Sequence, residues 1–169
     1  DIAYAVALQD DGSIVVAGTT DTNNFNGPNF ALARYTSSGA LDTSFDSDGK
    51  QTLNGGGDDR WYAITVQDDG KIVVAGTNGT DFVVARYTSS GSLDSSFDSD
   101  GLQTIDFGGT DEARDVVIQP DGKIIVAGFT DGQTMNLTRL NSDGSLDTNF
   151  VTNGLITLQI SNSSTEGYC

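Results

Sequence analysis

The segment "QDDGKIVVAGT", residues 67–77, has near-copies in "QDDGSIVVAGT" at residues 9–19 and "QPDGKIIVAGF" at residues 119–129. In each copy "DDG" or "PDG" reads as a tight turn, because Asp and Gly suit the positive φ values of a short hairpin. The run that follows is apolar at consecutive positions, which predicts a strand buried on both faces. A turn and a doubly buried strand recurring three times predict a repeat architecture.

Extending the register outward shows how much of the chain repeats. The first copy reads "DIAYAVALQDDGSIVVAG" then "FALARYTSSGALDTSFDSDGKQTL". The second reads "DRWYAITVQDDGKIVVAG" then "FVVARYTSSGSLDSSFDSDGLQTI", and the third "DEARDVVIQPDGKIIVAG" then "MNLTRLNSDGSLDTNFVTNGLITL". Arg34, Arg86 and Arg139 correspond, as do Phe45, Phe97 and Phe150. Each copy holds four strand candidates. The first alternates large and small residues, as Tyr4, Val6 and Leu8 do against Ala5 and Ala7. The remaining three are the "IVVAG" run, the "FVVARY" run and a short "LQTI" run. Four-stranded units of about 50 residues with a sandwiched middle strand predict an all-β fold of three antiparallel β-propeller blades. The blades span residues 1–57, 58–110 and 111–160, followed by a tail over 161–169. A β-trefoil, also three repeats of four strands, is the alternative.

Composition agrees with strands and turns. The 169 residues include 21 glycines and one methionine, with Val, Ile, Thr, Phe and Tyr filling short segments. The formal net charge of −16, without histidine, opposes binding to nucleic acid or an anionic membrane, which requires Lys and Arg clusters. Cys169 is the single cysteine, so no internal disulfide is expected. The sequence lacks an apolar run of the length a membrane span needs, about 18 residues. It opens directly on strand-like "DIAYAVAL", and the natural N-terminus is expected upstream.

The stretch "LQDDGKIVVAG…FVVARYTSSGSLDSSFDSDGLQT" resembles the bacterial delta-60 repeat, a β-propeller family of unassigned function found in large secreted or surface-associated proteins. The resemblance covers residues 1–158 three times over and implies a propeller in an extracellular or cell-surface setting. It brings no catalytic residues. Asp46 and Asp98 stand where such repeats more often carry glycine, and Val151 and Asn153 replace the two later aspartates in the third copy.

Propellers have about four to eight blades, so three should not close a ring. Both outer blade faces would then stay apolar and open. Either further blades of the same polypeptide or other copies of the chain are expected to cover them.

Candidate sites follow from the same register. Arg34, Arg86 and Arg139, inside apolar strands, are expected to pair with Asp42, Asp94 and Asp147, because a partly buried guanidinium requires a charged partner. The other reading of these arginines is a ring of cations for an anionic ligand. Asp42, Asp46 and Asp48, and likewise Asp94, Asp98 and Asp100, offer clustered oxygens to a hard cation such as Ca2+, but a glutamate to end a twelve-residue loop is lacking. A solvated turn is the preferred reading, because the third copy also loses two of the carboxylates. The insertion "TTDTNNFNGPN" at residues 19–29 occurs in one copy only, and Asp21, Asn24, Phe25 and Asn26 there could contact a surface glycan or partner. Trp61 aligns with Ala3 and Ala113 and reads as a packing variation ahead of a ligand platform. Sequons place possible glycosylation at Asn78 and Asn162, with Asn136 in a strand a poorer acceptor.

Catalysis has little support. Histidine is missing, no cysteine lies in the body of the chain, and no glycine-rich phosphate loop follows a strand. The plentiful aspartates sit at repeated turn positions, where local hydrogen bonding explains them. The expectation is a non-catalytic scaffold without a cofactor, with a carbohydrate-binding module or a calcium-stabilised adhesin as alternatives.

Overall fold

The computed structural model describes residues 1–21, 27–151 and 153–159. Its twelve strands form three separate four-stranded antiparallel sheets, each in simple chain order. Blade 1 holds β1 (Ile2–Leu8), β2 (Ile14–Thr20), β3 (Asn29–Tyr35) and β4 (Lys50–Leu53). Blade 2 holds β5 (Arg60–Val66), β6 (Ile72–Thr77), β7 (Phe82–Tyr87) and β8 (Leu102–Ile105). Blade 3 holds β9 (Asp111–Ile118), β10 (Ile124–Thr130), β11 (Thr134–Leu140) and β12 (Leu155–Leu158).

The repeated turn forms for the reason its residues suggest. Asp11 Oδ1 accepts from the Ser13 amide at 2.8 Å, and Asp69 and Asp121 do the same for Lys71 and Lys123. Each turn reverses the chain so that the first strand pairs with the second. That pairing carries a bulge in every blade, at Ala3/Ala5, Trp61/Ala63 and opposite Ala127/Gly128. Here the glycine of "VAG" is obligatory. A Cβ on Gly76 would lie 1.8 Å from the Arg60 carbonyl oxygen, and Gly18 and Gly128 are as crowded.

The sheets lie face to face and bury two cores. One, between blades 1 and 2, gathers Val15, Phe30, Leu32 and Phe45 against Trp61, Ile72, Val74 and Tyr87. The other, between blades 2 and 3, packs Val73, Phe82, Val84 and Phe97 against Ala113, Val116, Ile124 and Leu140. All of β6 and β7 is buried, since blade 2 is covered on both sides. Two sandwiched cores, in place of one central barrel, are the geometry of a propeller; the trefoil alternative does not hold. The first strands β1, β5 and β9 follow one another on the axial side.

The two outer faces are open. On blade 1, Val6 and Leu8 are 64% and 71% exposed, and on blade 3, Met135 and Leu158 are each 53% exposed.

Candidate functional site

Arg34 and Arg86 sit where one blade meets the next, and Arg139 is their counterpart in blade 3. Arg86 Nε donates to Asp94 Oδ2 at 2.8 Å and Nη2 to the Ser96 hydroxyl at 3.0 Å. Its remaining nitrogen, Nη1, crosses into blade 3 and donates to the Ser142 carbonyl at 2.6 Å. The guanidinium carbon stands 4.9 Å from the centre of the Phe97 ring. Arg34 repeats each contact one blade earlier: Asp42 at 2.7 Å, Ser44 at 3.1 Å, the Ser89 carbonyl at 2.5 Å and the Phe45 ring at 4.8 Å. Arg139 pairs with Asp147 at 2.8 Å over Phe150 at 4.2 Å. Lysine reinforces two of these pairs, with Lys71 Nζ 3.2 Å from Asp94 and Lys123 Nζ 3.0 Å from Asp147. An anionic ligand would find Arg34 and Arg86 already committed on every side.

The electrostatics match this geometry. Burial works against the Asp94 carboxylate, but hydrogen bonds from the Ser96 hydroxyl and amide, then Lys71 and the charge of Arg86, outweigh it and hold its pKa well below the ordinary carboxylate range. Asp42 is lowered chiefly by the Ser44 hydroxyl and amide, and Asp147 chiefly by Lys123.

The acidic turns after the first two "LD" pairs also work at the joints, through their backbone. Asp46 and Ser47, and again Asp98 and Ser99, take left-handed φ values between 42° and 73°. That conformation turns the Asp46 amide onto the Ser90 carbonyl at 2.8 Å and the Asp98 amide onto the Asp143 carbonyl at 2.7 Å, both across the joint. Asp tolerates this region better than most residues other than glycine. Asp98 is raised, first by burial and then by the charges of Asp100 and Asp143. Asp48 and Asp100 each accept from a backbone amide two residues on.

Among the described residues, the one trio of carboxylates with oxygens all within 4.8 Å of one another is Asp81, Asp106 and Asp111. Neither Asp42, Asp46 and Asp48 nor Asp94, Asp98 and Asp100 gathers in that way, because Asp42 and Asp94 turn toward arginine and serine. Asp111 is fully buried and accepts from the Phe107 amide at 2.7 Å and from the Thr130 hydroxyl. Its counterpart Asp59 holds the Gly55 amide at 2.5 Å, and burial raises its pKa.

On the axial side the bulges line up a second cluster. Tyr4, Tyr62 and Arg114 occupy equivalent positions. The Tyr4 and Tyr62 rings meet edge to face at 5.0 Å, and Arg114 lies 3.9 Å above the Tyr62 ring while pairing with Glu112. Burial first, then the charge of Glu112, raises the Tyr62 phenol.

A family model described as a domain of unknown function (DUF5122) beta-propeller matches residues 9–45, 67–97 and 119–150. The chain belongs to the DUF5122 β-propeller family. Its matched segments begin at the "QDDG" or "QPDG" turns and end on Phe45, Phe97 and Phe150, so they contain each Arg–Asp pair and its ring. Among solved structures, the DUF5122 chain is similar to a protein of unknown function from Bacteroides caccae, with 12% identity and a TM-score of 0.44. That alignment covers 94% of this chain and 61% of the other, so the DUF5122 chain spans less than two thirds of that protein's length. No curated protein matches it.

Of the remaining sequence candidates in the DUF5122 chain, Asn24, Phe25, Asn26 and Asn162 lie outside the described residues, and Asp21, within the insertion, is exposed. Asn78 holds the Thr80 and Asp81 amides through its side-chain oxygen. Asn136 is buried in β11. Trp61 is fully buried and stacked on Phe30 at 3.7 Å, which makes it packing and excludes a surface platform. Sequence reasoning missed the cross-blade carbonyls and the axial trio. It also missed buried Asp59 and Asp111, although aligning "GGGDD" with "FGGTD" would have marked that aspartate as a repeat position.

Proposed function

We propose that this protein is a non-catalytic structural or adhesive β-propeller module of a secreted or cell-surface protein. The observation that carries the reading is the use made of the repeated charges. In blades 1 and 2 the arginine, its aspartate and the neighbouring serine are all spent on holding one blade to the next. Side chains engaged on every side are not available to turn over a substrate, and a scaffold needs them so engaged. What the blades present outward is shape and negative charge, with a net −16 that favours solubility and disfavours nucleic acid.

Two measurements test this. Antibody labelling of intact, unpermeabilised cells making the natural protein should mark the surface or find the protein in the medium; confinement to the cytosol overturns the placement. Screens of the purified chain against glycoside, ester and phosphoester substrates should be blank. Turnover that is lost on one acidic substitution overturns the non-catalytic reading.

A further inference from the structure

An aspartate anchors both joints, but the two joints house it differently. Asp59 and Asp111 hold equivalent positions at the head of the first strand of blades 2 and 3, and both are fully buried. Each ties its blade to the one before through its backbone. The Asp59 amide donates to the Pro28 carbonyl at 3.1 Å and its carbonyl accepts from the Thr19 hydroxyl at 2.8 Å; the Asp111 amide donates to the Thr80 carbonyl at 2.7 Å.

The side chains then diverge. Asp111 has a donor on each oxygen, the Phe107 amide at 2.7 Å on Oδ2 and the Thr130 hydroxyl on Oδ1. Asp59 keeps the amide, with Gly55 at 2.5 Å from Oδ2. Its Oδ1 is enclosed and, among the described residues, meets no donor. The position of Thr130 is taken by Asn78, whose side-chain oxygen is turned to the Thr80 and Asp81 amides.

An exchange of aromatic rings accounts for the enclosure. Between blades 2 and 3, Phe107 leans on Phe82 at 5.0 Å, and the nearby strand position is the small Ala113. Between blades 1 and 2 the counterparts are reversed in size: Gly55 stands in the loop, and Trp61 stacks on Phe30 at 3.7 Å. A Cβ on Gly55 would lie 2.6 Å from Asp59 Oδ1 and 2.8 Å from the Phe30 ring, so that oxygen borders a glycine and an aromatic edge. Such surroundings disfavour a charge.

Neighbouring charges give no relief. Asp58 repels the Asp59 carboxylate and is itself paired with Arg60 at 2.5 Å. From blade 1, Asp59 meets Thr19, Pro28 and Phe30, none of them charged.

We propose that Asp59 makes the joint between blades 1 and 2 responsive to acid, its contact tightening when the carboxyl takes a proton and loosening when it ionises. Linkage fixes the sign. Burial first, with the charge of Asp58 adding to it, raises the Asp59 pKa against the pull of the Gly55 and Gly57 amides. The stability it contributes is fully present below the unfolded value of about 3.9 and is lost as pH rises through the higher folded value. Asp42 and Asp94 are lowered and act in the opposite sense, so only a comparison with an Asp59 variant isolates this carboxyl. The inference is independent of the scaffold reading and of whatever lies against the outer faces, because both blades of this joint are in the chain.

Two readouts on the purified chain decide it. Carboxyl carbon NMR should give Asp59 a titration midpoint above the value of about 3.9 for an aspartate in an unstructured peptide. Urea midpoints of the wild type and of Asp59→Asn are then followed by the emission of Trp61, the single tryptophan, stacked across this joint. The variant retains an oxygen for the Gly55 amide and cannot ionise. Its midpoint should gain on that of the wild type as pH rises from about 4, and stop gaining above the Asp59 titration. A carboxyl midpoint at or below about 3.9, or a difference between the two chains that stays flat with pH, overturns the proposal. Should Asp59→Asn not fold, the carboxyl titration decides alone.

Discussion

Replacing Arg86 with methionine is the sharpest test of what holds the blades together. The pair it breaks is buried, with 6% of the Arg86 side chain and 10% of the Asp94 side chain exposed. Removing one partner of such a pair costs about 3–5 kcal/mol, mostly because the other charge is stranded. Two features of the structure place the cost near the lower end, about 3 kcal/mol. Lys71 stays 3.2 Å from Asp94, and the Ser96 hydroxyl and amide keep its other oxygen at 2.7 Å and 3.1 Å. Against these stands the loss of the charged bond to the Ser142 carbonyl at 2.6 Å, of a kind worth about 1.5–3 kcal/mol. With a urea slope of about 2 kcal/mol per molar, the unfolding midpoint should fall by about 1.5 M at unchanged slope.

The pH dependence has a defined sign. The Asp94 pKa is lowered in the folded chain, so its contribution is fully present above the unfolded value of about 3.9 and disappears as pH falls through the lower folded value. The gap between wild type and Arg86→Met should be full at neutral pH and narrow below about pH 4. Adding Asp94→Asn should recover part of the loss, because it removes the stranded charge while its remaining oxygen still accepts from Ser96. A cost below about 1 kcal/mol, the value of an exposed pair, would refute the buried-joint reasoning. So would a gap that widens in acid.

Three further outcomes follow from the same packing. Trp61→Ala should cost about 3–5 kcal/mol, and the wild-type indole should emit in the blue and resist acrylamide quenching; ready quenching would place it at the surface instead. Gly76→Ala should lower the melting midpoint by the equivalent of about 3 kcal/mol, since its methyl would enter the Arg60 carbonyl; a midpoint within a degree of wild type would contradict the close approach. Asp106→Asn should stabilise by up to about 1 kcal/mol by relieving repulsion with Asp81 and Asp111, as Asn54 already holds the equivalent Gly56 amide in blade 1. If millimolar calcium raised the melting temperature of the wild type but not of Asp106→Asn, the trio would instead be a cation site.

The parts of this fold that were legible in the sequence are those written in side-chain type at fixed spacing. "DDG" gives the hairpin, "IVVAG" the sandwiched strand, and Arg86 with Asp94 an ion pair that burial would otherwise forbid. What was not legible is backbone. The acceptors of Arg34 and Arg86 are carbonyl oxygens of Ser89 and Ser142, more than fifty residues away, and any residue type could supply them. Asp46 and Asp98 invite a calcium reading through their carboxylates, yet they serve the joint through their amides in a left-handed turn. The alternation of β1 read straight through Tyr4, whereas the bulge between Ala3 and Ala5 shifts Tyr4 out of register with Val6 and Leu8. Bulges depend on how two strands twist past each other, a property that period-2 patterning does not carry.

Symmetry then separates scaffold from individuality in this chain. A residue that every blade repeats is answering a demand that every blade makes, and the Arg–Asp–Phe block meets that demand at both joints. Positions that differ between blades are free of it. Trp61, set against Ala3 and Ala113, turns out to fill a core. Tyr4, Tyr62 and Arg114 do something else: equivalent bulges put two phenols and a guanidinium into one axial stack, with Arg114 44% exposed at its side chain. The axial cluster is therefore built from positions that differ between blades and that the Arg–carbonyl contacts of the joints do not use.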